Sequence, residues 1–296
     1  MFGNRLFALN PKGGSSVILS RSRFVRKGYA RTFIAIIFVV VYLFPVYWMV
    51  ATSLKSKGAI FAVPPQIVPI PPNITSYINE VIHNPVLITV FSNSVIISLG
   101  TMFLTLLLAV PGAYGLSRLK LRGSGLILLI LLIGQLLPSI VIAGPLFLSF
   151  SRIGLLNTHL GLILADTTFT LPFSVIILRP FFLAVPSELE AAARVDGCSQ
   201  LGVLWRIVIP YVRSGLITVA AFAFLIAWGE FVFALSLNTK TNQPVTVALN
   251  NFVGQYGTQW NDLMATSTVV ALPIMLVFVS LQRFIVGGLT AGAVKE

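Results

Sequence analysis

The sequence predicts an all-α polytopic membrane protein with six transmembrane helices and both termini in the cytoplasm. Three observations carry that prediction. Of 296 residues, 56% are hydrophobic and only 9% are charged, against about 25% charged in an ordinary soluble domain. Six apolar stretches, each near the roughly 20 residues that a bilayer core requires, alternate with polar or proline-rich connections. With the termini placed inside, only Lys55, Lys57, Arg152 and Lys240 of the 20 Lys and Arg fall outside. That asymmetry orients membrane proteins.

From the N-terminus, residues 1–31 form a basic cytoplasmic tail, with Gly13-Gly14-Ser15-Ser16 as a flexible start. It is too long for a typical signal-peptide leader, and no cleavage site comes after it. Residues 32–286 form the membrane domain, and 287–296 a short cytoplasmic C-terminal tail. Span 1 covers about 33–54, with Pro45 as a kink. Residues 55–85 carry Pro64, Pro65, Pro69, Pro71 and Pro72, too many for a regular helix. Span 2 covers about 87–116, with Pro111-Gly112 as a bend or break near its inner end. Span 3 covers about 126–148 and holds Pro138 and Pro145. Span 4 covers about 160–181. A polar loop at 182–214 precedes span 5, about 215–237, and span 6, about 266–286.

The loop at 182–214 is unusual because it is polar, charged and flanked by spans. Ser187 reads as a helix N-cap, with Glu190 three residues later completing a capping box. Glu188 and Glu190 also place negative charge at the positive end of the helix dipole. Ala191 to Ala193 are strong helix formers with little side chain. Asp196-Gly197 reads as a stop, with Gly free to turn left-handed. A second short helix is expected from Ser199 to Ile209, ending near Pro210. Such a small-faced pair suits docking, although an ordinary capped loop shows the same local pattern.

Composition excludes several functions. The net charge of +12 does not indicate nucleic acid, because the charges flank apolar spans. Cys198 is the only cysteine, so no internal disulfide or multi-cysteine metal site is available. His83 and His159 lack metal-ligand spacing, and no metal site is expected. Gly is never followed by Lys, so the chain has no Gly-x-x-x-x-Gly-Lys-Ser/Thr phosphate loop. No catalytic residue and no cofactor is therefore assigned to this chain.

Polar groups inside spans are costly and are functional candidates by default. Gln135, Asp166, Thr170, Trp228 and Glu230 are the candidates for a substrate path lined by hydrogen-bonding and aromatic groups. The competing reading is polar glue between helices or the satisfaction of kinks.

Glu190-Ala191-Ala192, Asp196-Gly197, Ile207 and Pro210 together closely resemble the EAA loop of bacterial ABC importer permeases. Trp228-Gly229-Glu230-Phe231 resembles a second segment of that family, with Gly229 in place of Asn. Gly288 to Lys295 resembles the C-terminal tail of the smaller permease subunit of maltose-type carbohydrate importers. The resemblance implies the type I permease fold and a location in the cytoplasmic (inner) membrane. It implies translocation of a sugar or oligosaccharide. It also implies a second permease subunit, two ATPase subunits holding ATP and Mg, and an extracytoplasmic solute-binding protein. In that family the loop docks on the ATPase, which here assigns coupling to Ser187, Glu190, Ala191, Ala192, Asp196, Gly197, Ile207 and Pro210. The tail assigns a second contact to Gly288, Leu289, Thr290, Gly292 and Lys295. The alternatives are a related permease for a non-sugar solute, such as a polyol or glycerol phosphate, and a self-sufficient secondary transporter.

Overall fold

Two helices running side by side in the same direction form the centre of the molecule: α2 (Pro85–Arg118) and α5 (His159–Leu183). The structure, a computed structural model, describes residues 16–119, 121–238, 241–254 and 257–291, with side chains for 29, 31–119, 121–238, 241–254 and 257–282. Both central helices start on local chemistry. The Asn84 side chain accepts a hydrogen bond from the Val86 amide at 3.0 Å, and Thr158 Oγ1 accepts one from the Gly161 amide at 3.0 Å. Each cap satisfies an amide that the helix itself leaves without a partner.

The interface between α2 and α5 is built from small and polar side chains. On α2, Ser94, Ser98, Thr101, Thr105, Ala109 and Ala113 recur at helical spacing and are buried. On α5, Ala165, Asp166, Thr170 and Ser174 do the same. Small residues let two backbones approach closely in lipid, where burying more apolar surface offers little gain. A β-carbon at Gly100 would collide with Ile163 on α5. Thr105 Oγ1 and Thr170 Oγ1 hydrogen-bond across the interface at 2.6 Å.

The other helices surround this pair. α9 (Arg213–Gly229) packs on both, α12 (Trp260–Ala291) packs on α9, and α1 (Ser16–Ser53) packs on α12. α3 (Ser124–Leu136) lies on α5. α4 (Ser139–Ile153) packs with α10 (Val232–Leu237) at the end where α2 begins. α6 (Ser187–Val195), α7 (Gln200–Val203), a π turn over Leu204–Val208 and α8 (Ile209–Tyr211) gather at the end where α2 finishes. α11 (Val245–Asn250) and a two-residue antiparallel pair, β1 (Val253–Gly254) with β2 (Gly257–Thr258), precede α12.

Among the described residues, four helical stretches are long and apolar enough to cross a membrane: Arg31–Ser53, Pro85–Arg118, His159–Leu183 and Trp260–Gln282. Two bent pairs raise that to as many as six. Several expected boundaries change. Span 3 is not one rod: α3 and α4 meet at 97°. Pro138 explains the bend, since it has no amide to donate and forces Leu137 into an extended conformation at ψ 124°. Span 5 also breaks, with α9 ending at Gly229 and α10 starting at Val232. Pro111, by contrast, does not interrupt α2, which continues to Arg118. The expected stop near Pro210 holds to within one residue. The helix runs through a π turn to Tyr211, then turns by 82° into α9. α1 begins at Ser16, inside the stretch expected to be a tail.

Candidate functional site

The site grows from the short helix α6. Pro186, not Ser187, occupies its N-cap, with φ −59° and ψ 132° and no side-chain cap. Ser187 is the first helical residue, so the expected capping box does not form. The stop is as expected. Gly197 takes φ +85°, its amide donates to the Arg194 carbonyl at 3.1 Å, and the Cys198 amide donates to Ala193 O at 3.0 Å. These two bonds form the Schellman closure that a left-handed glycine permits. Cys198 packs into the same apolar cluster as Ala193. One residue on, Ser199 caps α7 by accepting from the Gly202 amide at 3.2 Å.

Glu190 points away from its own helix N-terminus. Its side chain is buried at 4% exposure and reaches the end of α2. Oε1 lies 2.6 Å from Arg118 Nε, and Oε2 accepts from the Tyr114 hydroxyl at 2.8 Å. Arg118 Nη2 also donates to Val185 O at 2.7 Å, on the segment that leads into α6. Arg194 Nε donates to the Glu190 carbonyl at 3.2 Å. A carboxylate taken out of water is tolerated when an ion pair and further hydrogen bonds replace its hydration. Beside this group lies a cavity of about 280 Å³, lined by Tyr114, Arg118, Glu190, Arg194 and Gln200 among others.

The opposite face of the loop is open. Ser187, Ala191, Ala192, Asp196, Gly197 and Pro210 are exposed, and Ile207 is half-buried. Large apolar side chains stand with them: Leu189, Val195, Leu201 and Trp205, with Val195 87% exposed. An exposed apolar patch rimmed by polar groups marks an interaction surface.

Of the five candidates for a substrate path, Asp166, Thr170 and Trp228 are buried, and Gln135 and Glu230 are half-buried. Trp228 is 1% exposed, stacks on Phe224 and donates from Nε1 to Val270 O at 3.3 Å. It belongs to an apolar cluster with Leu87, Val90, Phe224 and Val270. Thr170 is fully buried in its bond to Thr105. Gln135 Nε2 donates to the Phe169 carbonyl at 2.6 Å, three residues before Pro172 in α5. Glu230 accepts from the amides of Val232, Phe233 and Ala234 at 2.9, 2.8 and 3.2 Å. It therefore caps α10 at the break in span 5, where its own backbone is extended. Asp166 is 3% exposed and its Oδ1 has no hydrogen-bond partner. Asp166 and Glu230 line one small cavity with Ala227 and Pro244. The alternative of polar glue and kink satisfaction describes four of these five.

Sequence reasoning missed Tyr114 and Arg118. They stand four residues apart on α2, hence on one face, which is a readable sign. A count of charges sees Arg118 only as one more cation. Of the C-terminal contact residues, Gly288, Leu289 and Thr290 continue helix α12 rather than forming a separate tail. Gly292 and Lys295 lie outside the described residues.

The sequence profile of the family described as binding-protein-dependent transport system inner membrane component matches residues 106–290. The chain is 33% identical over 263 residues to the inner membrane ABC transporter permease protein YcjP of Escherichia coli, covering 88% of this chain and 93% of that one. It is 34% identical to the diacetylchitobiose uptake system permease protein DasC of Streptomyces coelicolor, over 88% and 95% of the two chains. It is 33% identical to the trehalose transport system permease protein SugB of Mycobacterium tuberculosis, over 86% and 92%. Among solved structures, it is similar to a chain of a bacterial ABC transporter involved in the import of the acidic polysaccharide alginate. The TM-score there is 0.74 at 22% identity, covering 92% and 99% of the two chains. That likeness speaks for the fold alone.

Proposed function

The chain belongs to the family of binding-protein-dependent transport system inner membrane components, and from that membership we propose that it is one of two permease subunits of an ATP-driven sugar importer. Several relatives are named for uptake of glycosides: diacetylchitobiose, trehalose, and trehalose/maltose. A sugar or oligosaccharide is accordingly the substrate class proposed here. The fold is the type I permease fold with six spans. Both termini and the 182–214 loop lie in the cytoplasm, in keeping with the distribution of Lys and Arg.

The observation that carries the reading is the geometry of α6 to α8. One face is fixed to the membrane helices through Glu190. The other presents Ala191, Ala192, Leu189 and Trp205 to a partner. This is the form of a lever, and it sits on the side where an ATPase works. Ser187, Glu190, Ala191, Ala192, Asp196, Gly197, Ile207 and Pro210 shape or present that lever. The partner is a pair of ATPase subunits that hold ATP and Mg. A second, related permease completes the membrane part, and an extracytoplasmic binding protein delivers the sugar. Closing of the ATPase dimer moves the two loops, opens the path outward, and hydrolysis resets it. The path runs between the two permeases, since Asp166, Thr170 and Trp228 are buried inside this one.

The test is reconstitution of the complex in proteoliposomes with ATP inside and the binding protein outside. Uptake of labelled sugar that needs both ATP and the binding protein is the expected result. Uptake that proceeds without ATP overturns the reading.

A further inference from the structure

Resting on the reading of 186–210 as the ATPase-facing loop, we propose that Tyr114 and Arg118 are positioning residues that clamp Glu190 and make α2 move with the coupling helices. The chain itself connects those helices only to α5, through Ala184 to Pro186, and to α9, through Val212. α2 ends 72 residues away in sequence from Glu190. Its link to α6 is therefore made by side chains alone.

Three features make that link specific. Both carboxylate oxygens of Glu190 are engaged, one by each α2 residue. Arg118 holds two separate points, the Glu190 side chain and the Val185 carbonyl, so it ties α2 to α6 and to the segment entering it. The Tyr114 ring packs edge-on against Phe182 of α5, with centroids 5.8 Å apart, so the clamp sits where α2, α5 and α6 meet.

The packing around the clamp gives it its task. α6 packs chiefly on α7 and the π turn, not on α2. A cavity of about 280 Å³ lies between these groups. The cavity is open and large enough for water, so the residues lining it are not packed against one another across it. Ala193 shares an apolar cluster with Ala113 and Tyr114 beside this gap, and the hydrogen-bonded bridge crosses it. A charged bridge adds directional contacts that an apolar contact lacks, with a fixed bond angle at each nitrogen. Because α2 packs along α5 from Asn93, beside His159, to Tyr114, beside Phe182, a displacement at Arg118 carries to the Ser94–Thr105 stretch.

The test uses the complete complex in proteoliposomes and reads sugar taken up per ATP hydrolysed. The ATPase recovered with the permease is measured in parallel. Tyr114→Phe removes one hydroxyl and touches no exposed residue of the loop. Arg118→Met breaks the ion pair; if it fails to accumulate, Arg118→Met with Glu190→Gln leaves no lone buried charge and stands in for it. The ATPase is expected to stay bound and active, with uptake per ATP falling about twofold for Tyr114→Phe and about tenfold for the Arg118 variant. Arg118→Lys is expected to restore part of the loss, since an ammonium reaches the carboxylate but does not hold both points. An unchanged ratio in the Arg118 variant overturns the proposal. Loss of the ATPase from the Tyr114→Phe complex also overturns it, since the clamp would then serve docking. If the unaltered complex shows no ATP-driven uptake, the importer reading falls and this proposal with it.

Discussion

Two glutamates in this molecule are held away from water in opposite ways. Glu190, at the loop end, is held by Arg118 and Tyr114, which lie 72 and 76 residues away in the chain. Glu230, at the break in span 5, is held by the amides of residues two to four positions ahead of it. One carboxylate joins two helices that the chain does not connect. The other closes the start of its own next helix. Position in the fold, not residue type, decides whether an acid joins distant helices or closes a local break. The contrast is tested by removing each acid and asking whether coupling or only stability changes.

The largest effect belongs to Glu190. Glu190→Ala leaves Arg118 with an unpaired, largely buried charge, a loss of about 3–5 kcal/mol for a broken buried pair. Uptake is expected to fall to background while ATP hydrolysis persists in whatever complex is recovered. Gly197→Pro is expected to act almost as strongly. A φ of +85° is closed to proline, and the amide that donates to Arg194 O disappears. Insertion into the membrane stays intact in both, which protease protection of the loop checks. Normal uptake in either variant would remove the loop from the coupling path.

Glu230→Ala ranks next and should change stability without changing coupling. It removes three hydrogen bonds to a charged group at a helix start, with a cost of about 1–3 kcal/mol. The melting temperature of the purified complex drops, while sugar moved per ATP stays as in the unaltered protein. A lower ratio at normal assembly would place Glu230 with Glu190 and dissolve the contrast.

The same division between local and distant partners decides which features were legible in the sequence. The apolar stretches were legible because a bilayer demands length and hydrophobicity, which each segment carries by itself. The stop at Gly197 and the new helix starting at Ser199 were legible because their partners lie within five residues. The bend at Pro138 was visible as a proline, although not its angle. The break at Glu230 had no proline to announce it; Gly229 weakens the helix, and the glutamate then caps α10. Ser187 looked like a cap because its spacing to Glu190 fits a capping box. That inference failed because Glu190 had better partners on α2, which no local pattern displays. The burial of Asp166, Thr170 and Trp228 was not legible for a related reason. Hydropathy marks a polar residue as being in a span, but which way it faces depends on neighbours that the sequence does not order.

Thr105→Val probes the polar seam between α2 and α5 and should cost little. The bond to Thr170 is short, at 2.6 Å, but such bonds between membrane helices average only about 0.6 kcal/mol. Thr170 keeps a second route, since its Oγ1 also donates to its own helix at the Asp166 carbonyl. A small drop in melting temperature and unchanged uptake are expected.

Asp166→Asn should have the smallest effect of all, and that makes it the sharpest test of the inward reading. The carboxyl is 3% exposed, and its Oδ1 accepts no hydrogen bond. It shares a small cavity with Glu230, whose carboxylate is already occupied by three amides. An acid in that position contributes no bond from Oδ1 that asparagine would lose, while its buried polar oxygen is a cost that asparagine does not increase. Asparagine also has nearly the same shape, so no cavity opens. The melting temperature is expected to hold or rise slightly, with uptake unchanged at every sugar concentration. A raised half-saturation concentration for the sugar, with assembly intact, would return Asp166 to the path. It would mean that the two permeases expose in the working complex a side chain that this chain alone keeps buried.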